Sequence, residues 1–88
     1  MTAYTRWAGH EDEEVVQVRI YPAWEGVRAV LHRIGPGPAT FQVPPLIDTV
    51  PTQLARGTMI AGANNVPLVV KLDDAGWLPE WGDLVEAD

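Results

Sequence analysis

The chain has 88 residues, with 12 Asp and Glu against 6 Lys and Arg, a formal charge of −6 and an isoelectric point near 4.6. That length supports one domain, which buries only about 60–65% of the surface its unfolded form exposes. The lack of cysteine excludes a disulfide framework or a thiolate metal site, and the net negative field argues against free nucleic acid as a partner, because phosphate binding draws on clustered Lys and Arg.

Residues 1–14 read as a flexible acidic arm. Met1 to Trp7 contains no apolar run of the signal-peptide kind, and nowhere does the chain approach the roughly 18 consecutive apolar residues of a membrane span. No membrane partner is expected, and the cytoplasm is the expected location. The arm ends in Glu11, Asp12, Glu13 and Glu14, with His10 beside them. Acids adjacent in sequence do not converge on one point, and their spacing is not that of a Ca²⁺ loop, so a solvated face is expected rather than a metal site.

Val15 to Tyr21 is rich in β-branched residues, with Val16, Val18 and Ile20 on one face and Gln17 and Arg19 on the other, the pattern of a half-buried strand. A turn over Pro22 to Gly26 and a second strand over Val27 to Ile34 complete an antiparallel hairpin. His32 falls in the second strand as a cross-strand partner on a partly exposed face. Gly35-Pro36-Gly37-Pro38 breaks the chain, and Thr40 to Val43 reads as a third short strand stopped by Pro44-Pro45.

After Thr49, an N-cap candidate, and Pro51, tolerated in a first helical turn, apolar residues recur at spacings of three to four: Val50, Leu54 and Ala61, or Ala55 and Met59. Residues 52–63 therefore read as a helix, in preference to a second hairpin turning at Ala63 to Asn65. Asn64-Asn65 suits a left-handed stop, and Val66 to Leu72 reads as a buried strand whose early proline favours a strand start or an edge. The expected class is α+β: a small antiparallel sheet built from the hairpin and two further strands, one helix on one face, and an irregular acidic tail from residue 73 to 88.

Catalytic signatures do not assemble. There is no serine, which removes serine-nucleophile chemistry. Thr52 and Thr58 lack a positioned base, and the glycine pairs at 35–37 and 57–62 are not followed by the Lys-Ser/Thr of a phosphate loop. His10 and His32 have no second ligand at metal spacing. Asp73 with Asp74, or Glu80 with Asp83, read as surface charge. No catalytic residue, metal or cofactor is expected.

The tail is the informative segment. From Asp73 to Asp88 it carries six carboxylates, two tryptophans and no basic side chain. Solvated acidic tails lack large apolar groups and buried segments lack six acids, so the mixture suggests aromatic anchors in a negative rim. The candidate partner-binding residues are Trp77, Glu80, Trp81, Asp83 and Glu86, joined by Trp24 in the hairpin turn. Trp77 and Trp81 flank Pro79, which favours a bent segment over a regular helix. Capping the sheet is their competing role.

These features point to a small acidic binding protein that occupies a basic surface of a protein partner, in the manner of an inhibitor, immunity protein, antitoxin or phage-type anti-defence protein, with carboxylates standing where a nucleic acid places phosphates. The alternatives are a structural or accessory subunit, homo-oligomers included, and, ranked last, a small enzyme using His10 and His32.

Overall fold

A computed structural model describes residues 3–9, 13–38, 40–44 and 46–86. The β-branched run forms β2 (Val15–Ala23), which pairs residue for residue with β3 (Gly26–Ile34) from Val15↔Ile34 to Ala23↔Gly26. The hairpin is tighter than its sequence suggests, since Pro22 and Ala23 continue the strand and the loop is Trp24-Glu25 alone. Gly26 closes it at φ +113°, a region that side chains rarely tolerate. With two residues left to turn the chain, the Trp24 indole has no wall beside it and is 100% exposed.

Val50–Asn64 is α-helical throughout and forms α1, so residues 52–63 are not a second hairpin. The expected cap residues frame it. Thr49 occupies the N-cap, although its hydroxyl bonds the Thr52 hydroxyl and not a backbone amide, and Asn65 ends the helix in the left-handed conformation at φ 56°, ψ 43°. Of the two apolar sets, the one that faces the sheet is Val50, Leu54 and Ala61, which are buried, while Ala55 and Met59 are exposed. They meet Val16, Val18 and Ile20 of β2 and Ala29 and Leu31 of β3 in one core. Gly57 permits the close approach. A Cβ there would lie 3.0 Å from Leu68 Cδ1, 3.2 Å from Leu31 Cδ2 and 3.3 Å from Val18 Cγ2.

The sheet has six strands in the order β4-β3-β2-β5-β1-β6, adding β1 (Ala3–Arg6), β4 (Ile47–Asp48), β5 (Leu68–Leu72) and β6 (Asp83–Val85). It is mixed, not antiparallel: β2 pairs with β5, β5 with β1 and β1 with β6 in parallel, and only β3 runs against its neighbours. The hairpin makes an antiparallel sheet the natural expectation, but α1 returns the chain as a crossover, which lays β5 parallel to β2.

Three further expectations are corrected. Ala3–Arg6, read as part of a flexible arm, is an interior strand held on one side by β5 and on the other by β6. Thr40 to Val43 is not a strand; Phe41 and Val43 pack against the core from a loop, and the strand beyond β3 is the two-residue β4. Gln17, placed on the watered face, is only 5% exposed, because it is flanked in register by His32 and Val69 in the middle of the sheet. His10, Glu11 and Asp12 of the acidic run lie outside the described residues. Glu14 is not a free solvated acid: it accepts from Arg33 Nε at 2.8 Å and from the Thr40 hydroxyl at 3.0 Å, and these bonds, led by those from Arg33, hold its carboxyl below the usual 4.5 against the opposing effect of burial.

A buried amide ties the helix to the sheet. Gln53, with 0% exposure, donates through Nε2 to the Ala29 carbonyl at 3.2 Å and the Leu46 carbonyl at 2.6 Å, while its Oε1 accepts from Arg56 at 2.7 Å. No helix of the described residues is long and apolar enough to cross a membrane.

Candidate functional site

The C-terminal segment leaves the sheet at a pinned point. The Asp73 amide donates to the Ile20 carbonyl at 2.8 Å, its carboxylate accepts from Arg19 Nε at 2.8 Å, and Asp74 turns the backbone at φ 60°. The chain then crosses over β1 to reach β6, so the tail is not irregular: it contains a 3-10 turn at Pro79–Trp81 and ends as an edge strand paired with β1. Pro79 starts that turn, where its missing N–H costs nothing, and Gly82 ends it at φ 119°.

This crossover sets three aromatic rings in series. Tyr4 of β1 meets Trp77 edge to face, with centroids 5.8 Å apart, and Trp77 meets Trp81 at 5.2 Å with the ring planes 81° apart. The Trp77 indole N–H donates to the Gly82 carbonyl at 2.9 Å, which fixes that ring's rotation; no such bond ties Trp81 among the described residues. All three rings pack on the core and both indoles remain half-buried. Each indole thus caps the core with part of its surface and leaves the rest open.

What their outer surfaces line is a groove of about 590 Å³ between the crossover and the N-terminal end of α1. Trp77, Leu78 and Trp81 form one wall, Val27 of β3 and Val50 and Pro51 of α1 the other, and Glu80 stands in the lining with its carboxylate exposed. The residues singled out in the sequence are thus only partly brought together. Trp77, Glu80 and Trp81 share the groove, and Trp24 projects from the hairpin tip three residues before Val27. Glu86 instead bonds Arg6 at 3.3 Å across the β1–β6 pair. Asp83 alternates with Leu84, which packs on the core, and so points to the opposite face of the sheet. Sequence reasoning missed Val27, Val50, Pro51 and Leu78. Leu78, 46% exposed, carried a signal in its place between the two indoles; the other three reach the groove only because the crossover lies over the start of α1.

The charged side chains divide into paired and unpaired groups. Every arginine of the chain has a carboxylate partner: Arg6 with Glu86, Arg19 with Asp73, Arg28 with Glu25, Arg33 with Glu14 and Arg56 with Asp48, at up to 3.9 Å. Glu80 has no such partner among the described residues. His32 lies on the sheet face opposite α1, in register with Gln17, and burial, then the nearby charges of Arg19 and Lys71, lower its pKa below 6.5. It does not line the groove. Among the described residues no group of three or more His, Asp or Glu is placed to hold a metal ion. Searches against protein-family models, curated proteins and solved structures give no match for this chain.

Proposed function

We propose that this chain is a non-catalytic cytoplasmic binding protein that docks a basic region of a partner protein in the groove between its C-terminal crossover and the start of α1, and so blocks or occupies that region. The inhibitor, immunity, antitoxin and anti-defence classes act in this way. One observation carries the reading: two half-buried indoles and a carboxylate with no cation partner among the described residues share an apolar groove on a molecule of charge −6. Large aromatics left partly open in a groove suit anchoring contacts, and acid on the rim and over the chain steers a basic partner toward them. Trp24, fully exposed at the hairpin tip three residues before Val27 of the lining, offers a further apolar contact.

A second reading, an accessory subunit of a larger assembly, is favoured by the outer face of α1. Thr52, Ala55, Thr58, Met59, Gly62 and Ala63 are all exposed there and none is charged, whereas a helix face in water normally carries charge. The two readings separate by experiment. The intact chain is used as bait in lysate of its source cells, beside a Glu80→Gln/Trp81→Ala variant shown to be folded. Capture of a basic protein that the variant loses, and that salt weakens steeply, supports the groove; capture that ignores both the variant and ionic strength, and fails with Met59→Glu, supports the helix face instead.

A further inference from the structure

The groove's lining says more about what enters it than the net charge does. Within this fold each arginine is already held by one of the chain's own carboxylates, yet Glu80 stands on an apolar groove with no cation beside it among the described residues. The carboxylate is exposed on the groove's edge, and its Coulomb attraction for a cation strengthens as a bound partner displaces the water around it. The indoles of Trp77 and Trp81 both line the same groove with their planes 81° apart, so the groove is bounded by two nearly perpendicular rings. Ring faces are the negative part of an aromatic quadrupole, and indole is the strongest of the three aromatic side chains in attracting a cation.

Building on the reading that this groove docks a basic partner, we infer that it is a receptor for a single arginine side chain of that partner, with the guanidinium stacked on an indole and paired to the Glu80 carboxylate. The planar guanidinium suits both contacts at once, since it stacks on aromatic faces and presents a fork of N–H donors to a carboxylate, whereas an ammonium offers only a point charge. Its aliphatic stem lies against Val27, Leu78 and Pro51, the apolar remainder of the lining. The receptor is preorganised at Trp77, whose ring is held by the bond to the Gly82 carbonyl and by Tyr4 behind it, so little ordering remains to oppose binding.

The test uses the full chain and two five-residue peptides, acetylated and amidated, with glycines flanking a central arginine or its uncharged near-isostere citrulline. Binding is followed by NMR through the indole N–H resonances, with Trp7, which does not line the groove, as internal reference. The arginine peptide is expected to shift Trp77 and Trp81 to saturation and to bind at least about tenfold more tightly than the citrulline peptide. Glu80→Gln, which leaves every described packing contact intact, is expected to remove most of that difference. Equal affinity for the two peptides overturns the inference and makes the groove a site for an apolar residue. Shifts that appear on raising protein concentration without peptide and vanish with Trp24→Ala also overturn it, since the occupant is then the Trp24 of a second copy. A basic protein captured through the groove from lysate, together with no peptide shift at Trp77 or Trp81, sinks the arginine assignment alone; loss of both results sinks the docking reading beneath it.

Discussion

Val18 in β2 and Trp77 in the C-terminal crossover pack toward the same core, yet Val18 is sealed beneath α1 while the much larger Trp77 stays half open. The body of the domain, β2, β3, β5 and α1, closes with small and branched side chains at short backbone separation, as the contacts around Gly57 show. The crossover closes with indoles too large for the space left, and their surplus surface becomes a groove wall. A small domain has little stability to spare. The division therefore places most of the stability in the body and the open aromatic surface in the crossover, and substitutions can test where that line falls.

The largest effect is expected from Val18→Asp, which places an unpaired carboxylate under α1. It should cost several kcal/mol, on the order of the whole stability of such a domain, and show as loss of the thermal transition in circular dichroism. A normal melt would mean that the body is not closed where Val18 sits.

Next comes Gln53→Leu, which keeps the volume but removes both bonds to the Ala29 and Leu46 carbonyls and the acceptor for Arg56. Leaving buried groups unpaired should lower stability by about 2–3 kcal/mol in urea unfolding. A neutral result would show that the amide is dispensable to the seat of α1.

Within the crossover, Trp77→Ala should cost about 2 kcal/mol of stability, since it removes a half-buried indole, its bond to Gly82 and its contacts with Tyr4 and Trp81. Trp24→Ala should change stability by under about 0.5 kcal/mol, because the ring touches nothing it must leave. If Trp24→Ala melts early, the hairpin tip belongs to the body after all.

The two helical glycines give a finer measure. Gly57→Ala must push Leu68, Leu31 and Val18 aside, and should lose about 1 kcal/mol despite the gain in helix propensity; Gly62→Ala meets nothing within 4 Å and should gain about 0.5–1 kcal/mol. Reversal of that order in paired urea melts would show that α1 stands farther from the sheet.

The smallest effects are in pH, and both run the same way. His32 is held neutral by burial, so the unfolded chain binds its proton more readily and stability should fall as pH drops below 6.5. Glu14 has a lowered pKa, so its contribution is full above 4.5 and is lost as pH falls through the lower folded value. His32→Gln should flatten the upper part of a melting-temperature profile and Glu14→Gln the lower part.

Local pattern was enough for the parts whose signal lies within a few residues. The alternation at Val16, Val18 and Ile20 marked a strand and its core face, the spacing of Val50, Leu54 and Ala61 marked the helix and the side it buries, and Asn65 marked its end, because strand and helix periods and left-handed caps are properties of short segments. The pairing of Trp77, Glu80 and Trp81 was legible for the same reason: five residues around a proline cannot separate far. Tertiary structure alone decided the rest. Ala3–Arg6 is a strand because β5 and β6 flank it from more than sixty residues away. Gln17 is buried because its neighbours on both sides are strands and not water. Asp83 and Glu86 leave the groove because β6 pairs with β1, which turns one to the far face and gives the other to Arg6. Each depends on a contact between distant segments, formed only when the whole sheet closes, and no short window of residues contains both partners.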